Sequence, residues 1–251
     1  HSRMPVSIKH ELDQINLSPQ SLSSFYKEGL FWPDRFNDEV IDDFIHRLGS
    51  REAAGQLFQR PAPEDGNMVK RDWFDFVKPE DIKLNLENSP IIFYIDTAET
   101  EKQEGDASAI LAAFKKGNTV YICNVVEVRK QFYDLVKFIP EFAAANKYTN
   151  NSKIKIEPKS SGKSVVSQLR ASTMLNVVEL PSPKDSKITR LNAISAMLES
   201  RRVKVIEGLY TENFFNQLLT FPNSKNDDMV DVFIHCVTDM LIDNDFDFSF
   251  I

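Results

Sequence analysis

Cysteine is almost missing from this chain: among 251 residues only Cys123 and Cys236 carry a thiol. Two isolated cysteines exclude a disulfide framework and a cysteine-built zinc site, and they suit a reducing, intracellular compartment. No apolar run approaches the roughly eighteen residues that a membrane span needs, so no membrane partner is expected. The N-terminus lacks a secretory pattern; residues 1–4 (HSRM) read instead as an expression scar ahead of the natural chain. Internal repeats and low-complexity tracts are also lacking, which excludes solenoids and collagen-like rods.

What is present suits a folded protein of one large domain or one and a half small ones. Apolar residues make up 42% and charged residues 27%. The net charge of −7 argues weakly against nucleic acid. That average hides an asymmetry. Residues 146–204 hold twelve Lys and Arg against four Asp and Glu, a local +8 that leaves −15 for the remainder. A basic band on an acidic body can hold a polyanion by neutralising its phosphates, or it can be a solvated face.

Residues 5–88 read as an ordered connector. Loop signals at Ser18-Pro19, Trp32-Pro33, Arg60-Pro61-Ala62-Pro63 and Asp65-Gly66-Asn67 interrupt helical stretches. Asn37 is a plausible N-cap before Val40, Ile41, Phe44, Ile45 and Leu48, with Gly49 as the stop and a short helix over 51–59. From residue 89 the pattern changes. Ile91 to Asp96 is an apolar run ending in an acid, as in a buried central strand. Strands follow at 107–114 and 119–128, then a helix over 130–146 that Pro140 should kink. Further strands are expected at 153–157, 176–180 and 203–206, and helices at 164–170, 186–200, 211–219 and 227–242. The order predicts an α/β fold: three antiparallel strands, then alternating units, in a mixed sheet flanked by helices. The domain so defined covers 89–243, followed by an acidic tail over 244–251.

Three acidic positions stand out. Asp96 ends the first strand and Glu157 the fourth, and these strands are expected to be neighbours. Asp227, Asp228 and Asp231 open the last helix, where Asp228 and Asp231 face one way. Each acid alone is explained by capping or turn chemistry. Together, at three converging ends beside a basic band, they suit cation binding. Hard oxygen donors without His or Cys favour Mg²⁺ or Mn²⁺, and a pair of such ions ~3.5–4 Å apart supports phosphodiester hydrolysis. His235, on the last helix among apolar residues, reads as a core histidine or a support for a ligand rather than a ligand. Gly162-Lys163-Ser164 ends like a P-loop, but Glu157 stands where the motif needs its first glycine, which excludes that cradle. Ser160, Ser161 and Gly162 before a helix start still offer N–H groups to a phosphate.

These stretches resemble the C-terminal portion of the large terminase subunit of tailed bacteriophages. Leu30 to Phe36 (LFWPDRF), Leu48 to Arg51 and Gln59 to Pro63 are similar to that family's connector, and Met68 to Phe74 (MVKRDWF) to the entry of its nuclease domain. Phe93 to Ala98 (FYIDTA), Ile156 to Lys163 (IEPKSSGK) and Asn226 to Asp231 (NDDMVD) resemble its acidic motifs. The resemblance implies an RNase H-like nuclease fold, with which the strand order agrees. It also implies endonucleolytic cutting of concatemeric double-stranded phage DNA with two Mg²⁺ or Mn²⁺ ions. Carried over by position, Asp96, Glu157 and Asp228 are the catalytic, metal-binding acids, with Asp227 and Asp231 in support. Lys159, Lys163, Arg170, Lys187 and Arg190 are expected to grip the DNA backbone without reading bases. The resemblance further implies an ATPase domain in the same natural chain, the portal protein and small terminase subunit as partners, and work in the host cytoplasm, transiently at the procapsid portal. No Walker A motif occurs, so this chain should not pump DNA by itself. Two other readings stay open: a docking module that cuts only within the full motor, and another RNase H-like enzyme such as a junction resolvase, against which the connector argues.

Overall fold

The computed structural model describes residues 4–7, 24–59, 68–82, 88–97, 107–159, 161–208, 212–224 and 226–242. The acidic tail, Ser160 and the loop signals at 18–19, 60–63 and 65–67 lie outside them. The chain forms two compact units: residues 1–66 with 195–200, and residues 67–194 with 201–251.

In the first unit, Asn37 caps α1 (Asp38–Gln56) by accepting the Val40 N–H at 2.9 Å. Leu30, Ile41, Ala53, Leu57 and Phe58 form its core. The expected stop at Gly49 is a break inside α1: φ is +78° and ψ 161°. A side chain there would be strained by φ and would press to 3.2 Å of the Ala196 backbone.

The second unit is built on a seven-stranded sheet in the order β1-β7-β4-β3-β2-β5-β6. Its strands are β1 (Asp75–Val77), β2 (Ile92–Asp96), β3 (Ser108–Lys116), β4 (Thr119–Val128), β5 (Lys153–Ile156), β6 (Val177–Glu179) and β7 (Val203–Ile206). β2, β3 and β4 form the antiparallel meander; β5 and β6 add in parallel beside β2, and β7 and β1 beside β4. The helices are α2 (Phe132–Ala145), α3 (Ser161–Ser172), α4 (Lys187–Glu199), α5 (Glu212–Thr220) and α6 (Asp228–Leu241).

Successive strand side chains point to opposite faces, and both faces are covered here. Phe93, Ile95, Ile110, Ala112, Phe114, Ile154 and Ile156 share a core with Leu135, Ile139 and Phe142 of α2 and Val165 and Leu169 of α3. α6 packs on β2, β3 and β4, with Phe233 against Phe214 of α5 and Phe74. Tyr94 and Asp96 alternate with Phe93 and Ile95, so they belong to the α6 face. That phase is what makes one strand deliver apolar groups to one layer and a carboxylate to the other.

Two expectations change. α2 runs unbroken through Pro140: a proline removes one interior N–H, but buried residues on both sides of it, from Leu135 to Ala143, seat the whole helix. β1 is a strand inside the stretch read as connector, paired with β7 at Asp75–Lys204, Phe76–Val205 and Val77–Ile206.

Candidate active site

Asp96 is the last residue of β2, and Glu157 follows β5 directly. β2 and β5 pair in parallel, Tyr94 with Lys155 and Ile95 with Ile156, so the two carboxylates leave the sheet side by side. Strand ends of this kind are where open α/β sheets bind ligands. Asp227 sits at the N-cap of α6 and Asp228 in its first turn. Asp228, Asp231, His235 and Asp239 recur at helical spacing, a polar stripe on an otherwise buried helix.

The loop after β5 is closed tightly. The Gly162 N–H donates to the Lys159 carbonyl at 2.6 Å, and Ser161 Oγ donates to Thr97 Oγ1 at 3.0 Å. A Cβ at Gly162 would run into the Glu157 carbonyl oxygen. Glycine is therefore required to bring the start of α3 against Glu157. Of the three N–H groups that the sequence offers to a phosphate, that of Gly162 already has a partner within the loop, and Ser160 lies outside the described residues.

The acids divide into two kinds. Glu157 is 0% exposed. Lys159 Nζ lies 2.7 Å from its Oε1, and His235 Nε2 donates to its Oε2 at 3.1 Å. Burial alone would raise its pKa, but the bonds from His235 and Lys159 outweigh that and bring it down to about 2. Asp231 is held by Lys187 at 2.6 Å and Arg190 at 2.7 Å, and Lys187 also reaches Asp227 at 2.8 Å. Asp96 and Asp228, in contrast, have no hydrogen-bond or ion-pair partner among the described residues. Burial, then the charges of Asp231, Glu157 and Asp228, push Asp96 up to about 7, opposed by Lys159. Burial, then Asp227 and Glu127, push Asp228 up to about 6.

The structure thus brings Glu157, Asp228 and Asp231 within electrostatic reach of Asp96, with Asp227 beside Asp228. Among the described residues no three acidic, His or Cys side chains converge closely enough to hold one ion as they stand. The basic residues are scattered differently from the single DNA-gripping band. Lys159, Lys187 and Arg190 are countercharges of the acids themselves. Lys163 is exposed on the first turn of α3. Arg170 lies nine residues along α3 from Ser161, roughly 13 Å by helical rise, and is tied to the Val177 carbonyl at 3.1 Å and to Glu179 at 3.4 Å.

Five residues that the sequence does not single out support this site. Tyr94 OH donates to Asp239, and Lys155 Nζ sits 2.6 Å from both Asp239 oxygens, joining α6 to β2 and β5. Gln217 bridges Glu127 and the first turn of α6. The alternation of Lys155 with Ile154 and Ile156 is a signal for the first network; nothing local marks the second.

A mixed sheet of this order, helices on both faces and acids at the ends of neighbouring strands, defines an RNase H-like domain. The family model of the terminase RNaseH-like domain matches residues 93–238, and the chain belongs to that family. Among solved structures, the large terminase of a thermophilic bacteriophage, in complex with ADP, superposes with a TM-score of 0.58 at 11% identity, over 83% of this chain and 53% of that one. The large terminase nuclease of thermophilic phage G20c gives 0.49 at 12%, over 69% and 98%. The human cytomegalovirus terminase nuclease domain, Mn-soaked and inhibitor-bound, gives 0.42 at 14%, over 58% and 80%. The likeness to the ADP-bound large terminase shows a shared fold, and this chain spans about half the length of that protein. Comparison with curated protein sequences finds no significant match.

Proposed function

We propose that this chain is the nuclease portion of a large terminase, a divalent-metal-dependent endonuclease that cuts concatemeric double-stranded DNA during genome packaging. One observation carries the reading: two half-buried carboxylates, Asp96 and Asp228, have no ion-pair partner among the described residues and repel each other and their neighbours. Such groups either hold a proton or take up a cation. The donors are carboxylate oxygens, which suit Mg²⁺ or Mn²⁺. Asp96, Glu157 and Asp228 would hold the metal, in two ions as the family resemblance implies, once the side chains turn toward a common point. Bound there, divalent ions supply an activated water and charge stabilisation for the leaving oxygen.

The chain's own groups do the rest. His235 and Lys159 keep Glu157 ionised and fixed in orientation. Lys187 and Arg190 neutralise Asp231, so that the cluster does not carry the full charge of five acids. Lys163, exposed beside the loop, is placed to meet a DNA phosphate without reading a base, consistent with low sequence specificity. An ATPase domain in the same natural chain, and the portal and small subunit as partners, belong to the same proposal.

Plasmid cleavage with Mg²⁺, Mn²⁺ or EDTA tests it. The parent protein is expected to cut only with metal, and a folded Asp96→Asn variant is expected to lose on the order of 10³-fold in rate. Equal cutting by that variant, or undiminished cutting in EDTA, overturns the assignment.

A further inference from the structure

The first turn of α6 carries Asp228, yet its N-cap side chain does not cap it: Asp227 makes no such bond and turns to Lys187 at 2.8 Å instead. The cap comes from another helix. Gln217 of α5 is 5% exposed, and its Oε1 accepts the Met229 N–H at 3.0 Å. Its Nε2 donates to Glu127 Oε2 on β4, which also accepts from Asn213 Nδ2 at 3.1 Å. A carboxylate can only accept and a backbone N–H can only donate, so the amide of Gln217 has one orientation that satisfies both. α5 is seated by Phe214 against Phe233 of α6 and by Phe215 against Phe74.

We infer that Gln217 is a positioning residue for the acid cluster, an inter-helix cap that fixes the start of α6, and so the place of Asp228, against the sheet through Glu127. The inference deepens the nuclease reading and rests on it. Residues that orient a metal-binding side chain without touching the metal typically cost 10- to 100-fold in affinity when removed. A glutamine is needed here because it both gives and receives; methionine has nearly its shape and does neither.

Three variants of the full chain test this: Gln217→Met, Gln217→Glu, and the exchange Gln217→Glu with Glu127→Gln. The exchange restores both bonds with donor and acceptor reversed on the β4 side and leaves the total charge unchanged. The readouts are Mn²⁺ binding by electron paramagnetic resonance of the free ion, and hydrogen exchange at the Met229 amide. Gln217→Met is expected to weaken Mn²⁺ binding about tenfold or more and to speed Met229 exchange by a similar factor. Gln217→Glu alone sets two carboxylates against each other and should behave alike. The exchange should return Mn²⁺ affinity to within about threefold of the parent, which a purely structural role of either residue does not predict. If Gln217→Met does not fold, the comparison of the single Gln217→Glu with the exchange decides. A folded Gln217→Met that binds Mn²⁺ as the parent does, or an exchange no better than Gln217→Glu, overturns this inference alone. A parent that takes up no Mn²⁺ overturns it together with the nuclease reading.

Discussion

The polar stripe of α6 carries aspartates at both ends, and the two ends have opposite electrostatic fates. At the far end, Asp239 meets Lys155 at 2.6 Å and the Tyr94 hydroxyl, a matched charge in a partly buried setting. At the near end, Asp228 and the facing Asp96 have no partner among the described residues and are pushed up to about 6 and 7. Residue type and helix face are the same. The difference lies in which side chains surround each: Lys155 and Tyr94 meet Asp239, while Asp228 is raised by burial, Asp227 and the Glu127 that β4 presents. One end is built to hold the helix down, and the other is held in tension by it.

The contrast breaks most visibly at the matched end. Asp239→Ala should cost about 2–4 kcal/mol in urea unfolding, because it strands Lys155 in a mostly buried position. Added Mn²⁺ should not recover that loss. A cost below about 0.5 kcal/mol would show that Asp239 anchors nothing.

The opposite sign is expected at the other end. Asp96 has a folded-state pKa of about 7, above its ordinary value of 3.8. Its protonated form favours the metal-free fold fully below pH 4, and that benefit is lost as pH rises through 7. Asp96→Asn should therefore stabilise the metal-free protein at pH 8, by about 1–3 kcal/mol, and change nothing at pH 4. Glu157 runs the other way. Lowered to about 2, it contributes above its ordinary 4.5 and loses that contribution as pH falls toward 2. Unfolding midpoints of both proteins across pH 3–9 measure this, and an Asp96→Asn variant destabilised at pH 8 would sink the idea of mutual repulsion.

The smallest effect sharpens the comparison. Mn²⁺ at ten times its dissociation constant should add about 1.4 kcal/mol to the parent. It should add nothing to Asp96→Asn. Calorimetric scans with and without the ion distinguish the two.

Much of this was legible in the residues. The FYID run announces a strand buried on both faces, and its parallel neighbour follows from the helix between strands, so the meeting of Asp96 and Glu157 could be expected. The fate of the cations could not. Lys187 and Arg190 look like any solvated pair at a helix start, because their partner Asp231 lies some forty residues away in sequence. Gln217 sits on an amphipathic helix where a glutamine is unremarkable, and only tertiary contact gives its amide two partners. Three residues, Asp75 to Val77, are too few to display an alternating pattern, so β1 passes for loop. Pro140 carries a strong local signal that the buried stripe of α2 overrides.

The pairing of β1 with β7 has a practical consequence for anyone who wishes to work with a shorter protein. Beginning at residue 89, where the apolar pattern starts, would strip the outermost strand and leave the backbone of β7 as a raw, hydrogen-bond-hungry border. Such borders recruit strands from other molecules. A trimmed version that remains monodisperse should begin upstream of Asp75, keeping Phe74 as the plug between Phe215 and Phe233.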